Sequence, residues 1–116
     1  MAQRATEPIR VTPEEVARRM AQGEELLILD ARSRQAYRLS PVRILGAQRL
    51  PPSEPHVALK DLPSDKPAII YCDQRGEATS GRMARLLLER GWSNVQVLRG
   101  GFEAWLRAGY PVETKD

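Results

Sequence analysis

Three four-residue segments constrain the fold of this 116-residue chain more than any other feature: Leu26-Leu27-Ile28-Leu29, Ala68-Ile69-Ile70-Tyr71 and Val95-Gln96-Val97-Leu98. The first two are continuously apolar and too short to be helices. Runs of this kind suit strands covered on both faces, the environment of a parallel sheet. Segments of helical character lie around them. Thr12-Pro13-Glu14-Glu15 reads as a helix start, with Thr12 as cap, Pro13 in the first helical position and Glu15 closing a capping box. Val16 and Met20, then Ala17 and Ala21, follow at i,i+4 spacing until Gly23. Ser33 can cap a short helix through Leu39 that Ser40-Pro41 ends. A loop then leads to a small strand around residues 48–50, stopped by Pro51-Pro52. A short helix is expected over residues 55–60. The clearest one covers 79–90, where Met83, Ala84, Leu86, Leu87 and Leu88 form a wide apolar face and Gly91 suits the C-terminal cap. Phe102, Trp105 and Leu106 mark a last helix before Gly109 and Pro111.

Strands alternating with helices predict an α/β domain built on an open, mainly parallel sheet of four to five strands with helices on both faces. The length fits one domain over residues 1–116, with its core over about residues 9–112. With 41% hydrophobic and 28% charged residues, the balance is globular. Eighteen basic against fifteen acidic residues leave a net charge of +3, too small a surplus to argue for nucleic acid. No segment carries the apolar run of a membrane span, and the first ten residues lack the apolar core of a signal peptide. A cytoplasmic, reducing location is therefore expected, and the chain is expected to act as a monomer. Cys72 is the sole cysteine and His56 the sole histidine. An internal disulfide, a four-thiolate zinc site and a Cys/His zinc finger are all excluded, and no metal site is expected.

In open parallel sheets, sites form beyond the carboxyl ends of the strands, and Cys72 stands at such an end, directly after Tyr71. The polar loop Asp73-Gln74-Arg75-Gly76-Glu77-Ala78 follows, and Thr79 and Ser80 open the long helix. Loop N–H groups and a helix N-terminus favour a thiolate over a thiol. They also make a cradle for an anion bonded to, or docked at, the sulfur. Such a nucleophile needs no histidine base. Arg75, the only cation of the loop, can steer an anion. Asp73 and Glu77 would oppose the thiolate and repel anions if they faced the sulfur; Glu77 can instead bond backbone N–H groups at the helix start. Asp30 and Arg32, at the end of an earlier strand, are expected to pair as scaffold beside the site rather than touch substrate.

Several motifs in order resemble the single-domain rhodaneses, a sulfurtransferase family. They are Leu27-Ile28-Leu29-Asp30-Ala31-Arg32 with Ala36-Tyr37 after it, Gly46-Ala47, Ile69-Ile70-Tyr71-Cys72, and Gly100-Gly101-Phe102-Glu103-Ala104-Trp105. The resemblance runs from about Ile9 to Val112. It implies a rhodanese-like fold and a catalytic Cys72 that takes the outer sulfur of a donor such as thiosulfate as a persulfide. A thiophilic acceptor, cyanide or a thiol, then removes that sulfur. No cofactor is implied.

The loop departs from the family pattern. Seven residues separate Cys72 from Ser80, about two more than usual, and Gln74 stands where one subgroup carries a second cysteine. Arg43-Ile44-Leu45-Gly46-Ala47 lacks the histidine often found before Gly-Ala. Weak thiosulfate activity is expected unless Asp73 and Glu77 point outward. The alternative reading is a catalytically weak or inactive docking module for a protein partner. A cysteine phosphatase, the other chemistry of this fold, would need an arginine six positions after the cysteine, where this chain has Ala78. Arg32, Arg34, Arg38, Arg43 and Arg49 lie in a stretch without one acidic residue. Such a stretch is ordinarily a solvated face; its other use is docking an acidic protein partner or sulfur acceptor.

Overall fold

A computed structural model of the chain describes residues 8–73 and 77–115. The elements run β1 (Ile9–Val11), α1 (Pro13–Ala21), β2 (Leu27–Asp30), α2 (Arg34–Leu39), β3 (Val42–Ile44), β4 (Gln48–Arg49), α3 (Pro55–Leu59), β5 (Ala68–Tyr71), α4 (Ala78–Glu89), β6 (Val95–Leu98), α5 (Gly101–Ala108) and β7 (Val112–Thr114). Five strands form one sheet in the order β1-β6-β5-β2-β4, with every pairing parallel. The expected α/β sheet with helices on both faces is what the chain forms.

The apolar runs sort by alternation. Leu27 and Leu29 of β2, with Ala68 and Ile70 of β5, face one core that holds Leu59, Met83, Ala84 and Leu87 from α3 and α4. Ile28, Ile69 and Tyr71 face the other, with Val16 of α1 and Phe102 and Trp105 of α5. Both faces of the central strands are thus dry, which is why their sequence shows no polar alternation.

Three strands lie where the sequence pattern predicts none. β1 is an edge strand beside β6; only Val11 of its three residues is buried, so it carries too little apolar signal. β3 and β7 pair antiparallel in a separate two-stranded ribbon, with Arg43 opposite Glu113. β3 occupies part of what reads as a loop after Pro41, and β7 lies just after Pro111. The capping box at α1 also differs. Thr12 Oγ1 accepts from the Glu15 N–H at 3.1 Å, but the Glu15 carboxylate turns forward to Arg18, one turn along the helix. A cation at i+3 outcompetes the backbone N–H for it.

Register places the site. Asp30 of β2 stands opposite both Arg49 of β4 and Tyr71 of β5. The carboxyl ends of three adjacent strands are therefore level, and Cys72 is the first residue beyond them.

Candidate active site

Cys72 is buried, with 3% of its surface exposed. Its backbone is fixed from two sides. The Ala31 N–H donates to the Tyr71 carbonyl at 2.7 Å, and the Phe102 N–H, from the first turn of α5, donates to the Cys72 carbonyl at 2.8 Å. The sulfur faces the first turn of α4: Cys72 Sγ lies 3.4 Å from Ser80 Oγ, and Ser80 is fully buried. Ser80 Oγ donates in turn to the Glu77 carbonyl at 3.2 Å. That carbonyl also accepts the Gly81 N–H at 2.9 Å, the first helical bond of α4.

Of the loop residues singled out by sequence, Gln74, Arg75 and Gly76 lie outside the described residues. Asp73 is half-buried, Glu77 precedes α4 as its cap, and Ala78 and Thr79 form its first turn. Glu77 adopts the left-handed conformation, φ 61° and ψ 16°, which costs a residue with a Cβ about 1 kcal/mol. The bend carries its side chain away from the start of α4. The carboxylate does not bond N–H groups of that helix. It accepts the Gly100 N–H at 2.9 Å, at the cap of α5. Arg10 of β1 reaches it with both arms, Nε to Oε1 at 2.8 Å and Nη2 to Oε2 at 2.7 Å. Burial alone would push the Glu77 carboxyl up; the Arg10 guanidinium, the Gly100 N–H and the nearby charge of Arg99 together hold it below the ordinary carboxylate range.

Gly100 and Gly101 both take positive φ. A Cβ on Gly100 would stand 2.6 Å from the Ala104 Cβ, so the close turn that aims the Gly100 N–H at Glu77 and the Phe102 N–H at Cys72 requires glycine there.

Asp30 and Arg32 form a second, fully buried pair, each side chain 1% exposed. Arg32 Nε donates to Oδ1 at 2.9 Å, Nη2 to Oδ2 at 2.7 Å, and the Arg32 backbone N–H to Oδ1 at 3.1 Å. Nη2 also donates to the Val42 carbonyl at 3.0 Å. The guanidinium lies 4.3 Å from the Phe102 ring centre, and Phe102 stacks on Tyr71 at 5.5 Å. Burial pushes the Tyr71 phenol well up, which keeps it neutral; its oxygen accepts the Ile44 N–H at 3.3 Å. Arg49 closes the cluster, donating to the carbonyls of Asp30 and Arg32 at 3.1 and 2.6 Å.

Sequence reasoning missed Arg10. It is 67 positions from Glu77 and sits on an unpredicted edge strand, so no local spacing signals the pair. A weak signal exists: an acidic residue in a loop meant to hold an anion demands a cation from elsewhere in the chain.

Comparison with known proteins fits this geometry. The pattern of the Rhodanese-like domain family matches residues 12–108. The chain belongs to that family. It is 38% identical over 104 residues to a thiosulfate sulfurtransferase, GlpE, of Actinobacillus succinogenes, covering 90% of this chain and 89% of that protein. A sulfurtransferase of Allochromatium vinosum is 30% identical over 102 residues, covering 88% and 92%. Among solved structures, a full-length protein from Lactobacillus plantarum superposes with a TM-score of 0.78 at 25% identity, over 91% of this chain and 88% of that one. The Rhodanese-like domain of an Anabaena protein superposes with 0.75 at 26%, over 90% and 78%. Among the described residues, no helix is long and apolar enough to cross a membrane.

Proposed function

We propose that this protein is a sulfurtransferase that carries sulfane sulfur as a persulfide on Cys72. The observation that carries the reading is the position of Cys72 within this family's fold: buried at the end of β5, with its sulfur 3.4 Å from the Ser80 hydroxyl in the first turn of α4. In the first half-reaction the Cys72 thiolate attacks the outer sulfur of thiosulfate. A Cys72 S–S bond forms, the sulfur–sulfur bond of thiosulfate breaks, and sulfite leaves with the electron pair. In the second, cyanide or a thiolate attacks the outer sulfur of the persulfide. Thiocyanate or a new persulfide departs, and the pair returns to the Cys72 sulfur. Charge balances in both steps, so neither metal nor cofactor is required.

Residues 73–80, namely Asp73, Gln74, Arg75, Gly76, Glu77, Ala78, Thr79 and Ser80, form the loop that receives the sulfur. Ser80 has a specific part. Beside a thiol, its hydroxyl accepts from sulfur and donates to the Glu77 carbonyl. Beside a thiolate or persulfide anion, the same hydrogen turns to the sulfur, and the carbonyl keeps its Gly81 N–H donor. The switch leaves no buried acceptor orphaned, which would otherwise cost about 1–3 kcal/mol. Asp30 and Arg32 act as positioning residues that hold the strand ends level. The pairing of Glu77 with Arg10 and Gly100 gives that carboxylate partners other than the incoming anion, which supports turnover despite an acidic loop. A cytoplasmic, reducing location suits a cycle that passes through a reduced sulfur, and a monomer suffices for it.

The test is thiocyanate formation from thiosulfate and cyanide. Wild type is expected to turn over and Cys72→Ser to be inactive. Ser80→Ala is expected to lose about tenfold to a hundredfold in kcat/KM, the worth of one hydrogen bond to a charged group. Equal rates for wild type and Cys72→Ser would remove the reading and leave the docking module.

A further inference from the structure

A cleft of about 680 Å³ opens beside the site. It lies between α2, the Pro51-Pro52 turn after β4 and the first turns of α4. Arg34, Arg38, Arg49 and Arg82 line it, with Thr79 and the single acid Glu54. Arg49 is already committed to the carbonyls of Asp30 and Arg32. Arg34, Arg38 and Arg82 are exposed and form no ion pair with any described residue. By contrast Arg10, Arg18, Arg19, Arg43 and Arg107 each have a carboxylate partner. Three cations without one thus share this face, although Arg85, Arg90 and Arg99 also lack an ion pair elsewhere on the surface among the described residues.

The helix beneath them is unusual as well. α2 buries none of its residues fully; Tyr37 packs against Arg32 and Arg49, but packing does not explain Arg34, Gln35, Arg38 and Leu39, which are exposed. Leu39 is 76% exposed, and an adjoining hollow is lined by Arg34, Gln35, Arg38 and Leu39. A cleft of this size far exceeds a small sulfur oxyanion. An apolar side chain amid cations is the surface of a docking site rather than of an ion trap.

From these observations we infer that the α2–α4 cleft docks an acidic segment of a protein partner and so brings the partner's thiol to Cys72. Two facts make delivery feasible. Thr79, which lines the cleft, adjoins Ser80, whose hydroxyl lies 3.4 Å from the Cys72 sulfur. The ends of β4 and β5 are level across β2, so two strand spacings, about 10 Å, separate Arg49 from the site strand. In the transfer, the partner's thiolate attacks the outer sulfur of the Cys72 persulfide, forms its own S–S bond and returns the electron pair to Cys72. The delivery step rests on the sulfurtransferase reading; the docking step does not.

The experiment separates the two. Binding is measured by fluorescence anisotropy in Cys72→Ala protein with a labelled peptide of alternating aspartate and glutamate, against its lysine counterpart. The acidic peptide is expected to bind and the lysine peptide not. Arg34→Glu with Arg38→Glu weakens binding by about tenfold or more, while Arg90→Glu, at the C-terminal cap of α4 about 12 Å along the helix axis from Arg82, has little effect. Equal affinity for both peptides, or equal losses from the cleft and Arg90 variants, overturns docking. Displacement by citrate at concentrations no higher than those of the peptide itself would assign the cleft to a small polycarboxylate and also overturn it. In the second arm, persulfide-loaded wild type is mixed with cysteine-ended peptides. The acidic one is expected to take the sulfur about tenfold faster than a Gly-Ser one. Equal rates remove the delivery step, whereas failure of Cys72 to load sulfur at all removes the sulfurtransferase reading and leaves the binding result standing.

Discussion

Two carboxylate–arginine pairs flank Cys72, and they differ in almost every physical respect. Asp30 and Arg32 are two positions apart and 1% exposed each. Glu77 and Arg10 are 67 positions apart, and the Arg10 side chain is 51% exposed. The first pair is sealed under Phe102, Tyr71 and Tyr37 and ties α2, β3 and the strand ends into one block. The second pair is a clasp from the sheet edge onto the loop that leads into α4. A buried pair of this kind fixes geometry through the penalty of breaking it. The second, half-exposed through Arg10 although the Glu77 side chain is only 9% exposed, contributes less to stability, but it gives an acidic residue beside the proposed anion site a partner that is not the anion. The site thus has a rigid wall and an adjustable one.

Breaking the rigid wall has the largest expected effect. Arg32→Met leaves the buried Asp30 carboxylate only one cation, Arg49 in a longer contact at 3.7 Å, and is expected to cost about 3–5 kcal/mol in chemical denaturation. Combining it with Asp30→Leu is expected to restore part of that loss, since two apolar side chains leave no orphaned charge. A double variant worse than the single would mean that the wall depends on the pair itself.

Glu77 sharpens the contrast on the other side. Its left-handed backbone favours glycine, so Glu77→Gly is expected to be about 1 kcal/mol more stable than Glu77→Ala, although both lose the clasp. Acid gives a further handle. The Glu77 carboxyl is held below its ordinary value, so its contribution is present above the unfolded carboxylate range and is lost as the pH falls through the folded value. The difference in denaturation midpoint between wild type and Glu77→Gln is expected to shrink on acidification below about pH 4.5. Arg10→Ala should have the smallest effect on stability, and added salt should reduce it further. A loss from Arg10→Ala equal to that from Arg32→Met would erase the distinction between the two walls.

The same contrast marks what could be read from the chain. Strands β2, β5 and β6 announce themselves because both their faces are buried, and the Asp30–Arg32 pair because its partners are two residues apart. Cys72 at a strand end before a polar loop is legible for the same reason: its setting is local. β1 is not, since one buried residue in three carries no period. The β3–β7 ribbon joins segments about seventy residues apart. The sequence leaves Glu77 a choice between the sulfur and the N–H groups of its own helix, but a left-handed backbone and a distant arginine send it to α5. Long-range charge pairing and positive φ at a non-glycine residue leave no periodic trace in a single sequence.

The central claim is that this loop loads sulfur onto Cys72 despite its acidic residues. Intact mass after incubation with thiosulfate tests it most directly. Wild type is expected to gain the mass of one sulfur atom, reversed by cyanide, and Cys72→Ser to gain none. An unchanged wild-type mass with thiosulfate and with other sulfane donors, at neutral and mildly alkaline pH, would contradict it.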